Sequence, residues 1–218
     1  MAVSKNNLIW VVTYLVFGFS RVYGYLKPET LKRYEAMCTK FGQDPYFDTE
    51  MIVGKPWRIY YTWNMKLENK CLDMVFKNAT PRIVQRIFND MSEYLEQQPA
   101  WDAATLHATL GRARHEILMF ADQGPAGSFV AVANVIRDGN ISPTRSAVPL
   151  LKFQLKLVRE GKFLIMMDCQ VGVSSLSARA DYPPFRSEIL AATAHLDLGD
   201  GFPACIGDKN TQEQFAVN

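Results

Sequence analysis

The stretch VGKPWRIYYTWN, residues Val53 to Asn64, decides how this chain is read. A glycine and a proline bring the backbone abruptly into Trp57, Tyr60, Tyr61 and Trp63. Gly and Pro are the strongest local punctuation of a chain, and aromatic residues suit the half-buried surface of a sheet. Side chains alternate faces along a strand, so Trp57, Ile59, Tyr61 and Trp63 are expected to share one. The question is what lies against so many rings.

The segments around this strand answer by their periods. CLDMVFKN, residues 71 to 78, sets Leu72, Met74 and Phe76 against Asp73 and Lys77, the two-residue alternation of a half-buried strand. TPRIVQRIFNDMSEYLEQQP, from Thr80 to Pro99, then changes period. Thr80 is a good N-cap and Pro81 suits the first turn. Ile83, Ile87, Met91 and Tyr94 recur at helical spacing up to Pro99, giving a helix over about 80–98. Six more strand-like runs follow, at about 104–110, 115–122, 128–137, 149–159, 162–171 and 173–180, separated by Gly, Pro and Asn turns. LLKFQLKLV is the clearest, with Leu151, Phe153, Leu155 and Leu157 against Lys152, Gln154 and Lys156. A last helix is expected from Pro184 to about Leu196, and a short helix or turn over 28–41. Eight short strands in hairpin order predict an all-β fold, an eight-stranded up-and-down antiparallel barrel with one inserted and one C-terminal helix. A sandwich is the competing closure, because periodicity does not say whether a sheet meets itself.

Bulk composition narrows the partners. The 218 residues are enough for one good-sized core or two very small ones. Lys plus Arg number 24 against 22 Asp plus Glu, with no long charge block, which argues against nucleic acid. Residues 1–24 read as a signal peptide: Lys5, then an apolar run from Leu8 to Phe19, then Val22-Tyr23-Gly24 at a plausible cleavage site. That run falls short of the ~20 residues a membrane span needs, so stable membrane insertion is not expected; an uncleaved anchor or a buried helix is the plainer alternative. Residues 25–218 then form one secreted domain. Cys38, Cys71, Cys169 and Cys205 fit two disulfides in an oxidising compartment, with three pairings open. Their spacing argues against a zinc site. Sequons at Asn78 and Asn140 agree with export as a glycoprotein.

Several separated features resemble the lipocalin family. Its first motif, an F-D pair followed by G-x-W leading into the first strand, is matched by Phe47, Asp48, Gly54 and Trp57 in FDTEMIVGKPW, with two residues instead of one before the tryptophan. Its third motif, an arginine ending the last barrel strand before a turn and a helix, is matched by Arg179 in SSLSARADYPPFRSEILAATAHL. Its middle motif is degraded in LVREGKFLIMMDC, where Glu160 is the nearest acidic residue. The resemblance implies Arg179 packed over Trp57 at the closed end of the barrel. The cysteine positions are similar to those of four-cysteine members, including insect bilin-binding ones, which implies Cys38 with Cys169 and Cys71 with Cys205.

These implied bridges fix side-chain parity. An outward Cys71 turns Leu72, Met74 and Phe76 inward; an outward Cys169 turns Leu164, Met166 and Asp168 inward. Asp168 then lies near one mouth, or is simply a solvated strand-end carboxylate. On the first strand Ile59, Tyr61 and Trp63 are expected to continue the inward row from Trp57. An inward Arg179 brings Ser175 and Ser177 with it, and Phe153 and Leu155 are further candidates for the lining. An eight-stranded barrel can hold one small ligand, a filled core being the structural alternative. The resemblance therefore implies a secreted carrier or sequestering protein for a small hydrophobic ligand: a bilin, carotenoid, retinoid, fatty acid or pheromone. It implies no cofactor and no metal. The alternative is a secreted inhibitor or coat component that meets a protein partner through its surface and the 80–98 helix. Enzymatic activity is not expected: GxSxG, HExxH and P-loop motifs are absent, and His107, His115 and His195 are far apart in sequence. His115 beside Glu116 reads as a surface pair.

Overall fold

The computed structural model describes residues 28–67, 71–111, 115–138, 145–196 and 198–205. The barrel begins at a glycine. Gly54 adopts φ +86°, a region that residues with a Cβ avoid, and its N–H donates to the Phe76 carbonyl at 2.9 Å. The extra residue of the first motif sits in this turn as exposed Lys55, so strand β1 (Pro56–Trp63) still starts in time to bury Trp57.

From there the chain runs up and down. Strands β2 (Asp73–Asn78), β3 (Ala104–Leu110), β4 (His115–Ala121), β5 (Ser128–Ala133), β6 (Leu151–Val158), β7 (Phe163–Asp168) and β8 (Val173–Arg179) each pair antiparallel with the next. β8 pairs with β1, and β1 with β2, which closes the sheet into an eight-stranded barrel. The barrel expected from the sequence is therefore the fold, and the sandwich is not.

The β1–β2 seam is short, from Pro56–Arg58 opposite Asp73–Val75. Higher up, β1 offers its edge to an unforeseen ninth strand, β9 (Phe202–Pro203), pairing Tyr61 with Pro203 and Thr62 with Phe202. A proline is tolerated on such an edge because its missing N–H faces away from the ladder. The tail lies so close that a Cβ on Gly201 would stand 2.3 Å from the Tyr61 ring.

Two layers wrap the barrel. Helix α1 (Pro28–Gln43) buries Tyr34, Met37 and Phe41 on one face, extending the short helix expected over 28–41. It packs outside β7, β8 and β1 with the C-terminal helix, whose buried Ile189 and Ala192 join the same cluster. Helix α2 (Thr49–Ile52), capped by Asp48, lies below the barrel floor. Helix α3 (Pro81–Met91) starts as expected, Thr80 accepting from the Ile83 N–H and Pro81 filling the first turn. It stops at Met91 instead of running to 98, because Leu95 leaves the helical path to bridge Val148. The run expected as strand to 137 likewise ends at Ala133 and becomes helix α4 (Val135–Asp138). The C-terminal helix is α5 (Arg186–Thr193).

Both bridges take the pairing implied by the resemblance, Cys38 with Cys169 and Cys71 with Cys205. The first ties α1 to the β7–β8 turn, the second the start of β2 to the tail. Among the described residues no helix is long and apolar enough to cross a membrane. The segment read as a signal peptide, and Asn140, lie outside the described residues; Asn78 is exposed at the end of β2.

Candidate functional site

The barrel interior follows from register. Residues directly opposite on neighbouring strands share a face, and faces alternate along each strand. Trp57 opposite Arg179 and Met74 fixes the inner side of three strands at once. Met74, Phe76, Leu155, Leu164 and Met166 all fall on that side, and all are buried. Phe153 is opposite Asp168, so both are inward too. Leu72, half-buried just before β2, packs against the same cluster.

The floor is built as expected. The Arg179 guanidinium lies 4.4 Å from the centre of a Trp57 ring, a cation–π contact worth on the order of 0.5–2 kcal/mol. The fully buried indole donates its N–H to the Ile52 carbonyl at 3.1 Å. Arg179 Nη2 donates to the Met51 carbonyl, so both halves of the plug are anchored to α2. Phe47 leans edge-on against Phe129, 5.5 Å between ring centres. Glu160 lies in the β6–β7 turn with φ +57°.

Two of the expected lining residues are elsewhere. The β1–β8 register shifts between Ile59 and Tyr61, so Ile59 faces Ser177 while Tyr61 faces Leu176. A bulge adds one residue to one strand and reverses the parity beyond it. Ile59 is therefore inward, Tyr61 and Trp63 outward. The two rings meet at 4.9 Å in the outer layer. Tyr61 Oη accepts the Gly201 N–H and the Trp63 indole donates to the Gly199 carbonyl. Thr62 takes the inward place opposite Ser175. Strict alternation along YYTW cannot show such a shift; the adjacent bulky pair Tyr60-Tyr61, both in the outer cluster, is its only trace in sequence.

Ser175 and Ser177 are on the inner face, opposite Met166 and Leu164. Both are fully buried, and neither hydroxyl has a hydrogen-bond partner. Asp168, one step further along the wall, is buried rather than solvated. Its Oδ1 accepts the Gln170 and Val171 N–H groups, both at 2.9 Å, and so caps the β7–β8 turn. Burial pushes its carboxyl up to about 6, against the pull of those two donors.

Sequence reasoning left half of the wall unassigned. Leu106, Ala108, Ile117, Met119, Phe129 and Ala131 complete the inner face of β3, β4 and β5. Their alternation is hidden because the outer faces of these strands are also covered. Leu118 and Phe120 are buried outside the barrel with Ile87 and Met91 of α3. There too lies Glu116, bound by both terminal nitrogens of Arg86 at 2.9 Å and close to Arg137 and His107. His115 and Glu116 are thus not a surface pair. His115 is opposite Leu110 on the inner side, and Glu116 is buried under α3.

Among the described residues no group of three His, Cys, Asp or Glu side chains is placed to hold a metal ion. An outer cleft of about 200 Å³ runs between α5 and β1, lined by Tyr60, Tyr61, Ile189 and Leu190. No protein-family model, no curated protein and no solved structure matches this chain.

Proposed function

We propose that this protein is a lipocalin-like, secreted carrier or sequestering protein that binds a small hydrophobic molecule inside its barrel. One observation carries the reading: eight strands enclose an inner face that is mainly apolar, sealed at one end by Trp57 beneath Arg179. A wall of this kind offers a water-free lining with few polar groups, which is the chemistry of a small-ligand site. The two disulfides fit an extracellular setting. Bilins, carotenoids, retinoids, fatty acids and pheromones are the ligand classes considered. The role is binding, and no catalytic step is assigned to the barrel.

Native mass spectrometry and an absorption spectrum of the protein purified from its source test this. The expected result is a bound lipid or chromophore of a few hundred daltons, lost on unfolding. A protein recovered without a guest, refusing apolar probes and capturing a protein through α3, would make the interaction reading the better one.

A further inference from the structure

Ser175 and Ser177 stand two residues apart on β8, both facing inward. Their Oγ atoms are buried and unpartnered, while the inward neighbours Ile59, Leu164 and Met166 offer only hydrocarbon and a thioether. Buried hydroxyls nearly always find partners, because an unmade hydrogen bond leaves the full cost of removing the group from water. The other hydroxyls nearby are satisfied: Thr62 donates to the Met65 carbonyl at 2.6 Å, and outward Ser174 meets Tyr34 at 3.3 Å. Among the hydroxyls of this region, the absence of partners is thus confined to the two serines that face the barrel interior.

From this pair we infer the chemical class of the guest: an uncharged, mainly hydrocarbon molecule carrying hydroxyl or carbonyl oxygens on the edge that lies along β8. The inference rests on the carrier reading and sharpens it. Two residues along a strand separate the hydroxyls by about 6.8 Å, so they form a short polar rail on an otherwise greasy wall. Each hydroxyl both donates and accepts, so it can serve an alcohol or a carbonyl. A carboxylate fits poorly. The inward Arg179, two residues from Ser177, is held at the floor by the Trp57 ring and the Met51 carbonyl with only its buried Nη1 unpartnered, and the acid of Asp168 lies one step beyond Ser175 on the same wall. A guest anion beside Ser175 would lose water and face the Asp168 carboxyl, with the Arg179 guanidinium held away over Trp57.

The test is displacement of a neutral apolar dye, phenylnaphthylamine, from the disulfide-intact protein by decanol, decane and decanoate at pH 7.5. Decanol is expected to bind about tenfold more tightly than decane, with decanoate weakest. The double variant Ser175→Ala/Ser177→Ala is expected to lose the decanol advantage while keeping its affinity for dye and decane. Its ligand-free form should unfold at an equal or higher denaturant concentration, since two unsatisfied groups are gone. Equal binding of decanol and decane, or a decanol preference that survives in the variant, overturns this inference and leaves the carrier reading standing. If the dye and all three competitors fail to bind the unliganded wild-type protein, both fall together.

Discussion

The two flanks of the barrel are covered by different physics. Outside β7, β8 and β1, helices α1 and α5 and the tail contribute Tyr34, Met37, Phe41, Ile189 and Leu198 to an apolar layer, and the Cys38–Cys169 bridge fastens it. Outside β3, β4 and β5, helix α3 brings apolar Ile87 and Met91 but also sets Arg86 on buried Glu116, with Arg137 and His107 close by. The first flank is held by non-directional burial and a covalent tie. The second adds an ion cluster whose members depend on one another, since a buried charge without its partner is costly. The first should therefore dominate stability, and the second should be more sensitive to the loss of any one charged partner.

Removing the Cys38–Cys169 bridge by a double alanine substitution is the largest expected perturbation. A closure spanning 131 residues should contribute on the order of 2–5 kcal/mol, read as a lower urea midpoint. A loss no greater than that from opening the ion cluster would break the comparison. Glu116→Ala comes next, at about 1–3 kcal/mol, because it strands Arg86 and Arg137 beneath and beside α3; the partial exposure of Arg86 keeps the figure below that of a fully buried pair. Adding Arg86→Ala to that variant should cost little more, so a thermodynamic cycle that came out additive would remove the cluster from the account.

The next effect lies on the inner wall behind the disulfide-fastened flank. Asp168 is pushed up to about 6 from an ordinary 3.8. Between those values a rising pH strips the proton from the unfolded chain before the folded one, so the folded state loses stability as pH rises. Asp168→Asn keeps an oxygen for the Gln170 and Val171 N–H groups without the charge. It should stabilise the protein on the order of 2 kcal/mol at pH 7.5, an advantage that fades as pH falls toward 3.8. Chemical denaturation at both pH values measures it, and a pH-independent difference would assign the effect to packing.

The smallest effect has the opposite sign and lies on the α3 flank. Burial lowers the proton affinity of His107, with Arg86 and Lys77 acting in the same direction and Glu116 opposing them. As pH falls through 6.5, the unfolded chain takes up the proton first and the folded state is disfavoured. His107→Leu should remove this part of the acid sensitivity. An unchanged pH profile in the variant would show that protonation of His107 adds nothing to the balance on this flank.

Much of the fold was legible because a barrel strand covered on one side writes its alternation plainly. CLDMVFKN and LLKFQLKLV show which residues go in, and the Thr80-Pro81 start of α3 can be read without tertiary information. The strands under α3 resist the same reading, since Glu116, Leu118 and Phe120 are buried on the outer face and mask the period. The inward positions of Met74, Phe76, Leu164 and Met166 followed from cysteine parity, which depends only on the pleat. Tyr61 and Trp63 were misplaced by that same assumption of an unbroken pleat, because a register shift at Ile59 separates the two halves of β1.

The packing of Arg179 over Trp57 came from the family resemblance, whereas the amino-acid sequence by itself determined the eight barrel strands and the faces of the regularly alternating ones. These depend on local period, turn chemistry and covalent order, which a linear chain carries in full. Only the tertiary structure decided that the sheet closes, that β9 takes the upper edge of β1, that Glu116 is gripped beneath a helix and that two serines face the interior unpartnered. Each of these depends on which distant segment arrives opposite a given residue, 30 positions away for Arg86 and Glu116 and more than a hundred for the strands that meet β1, and such pairing leaves no local trace.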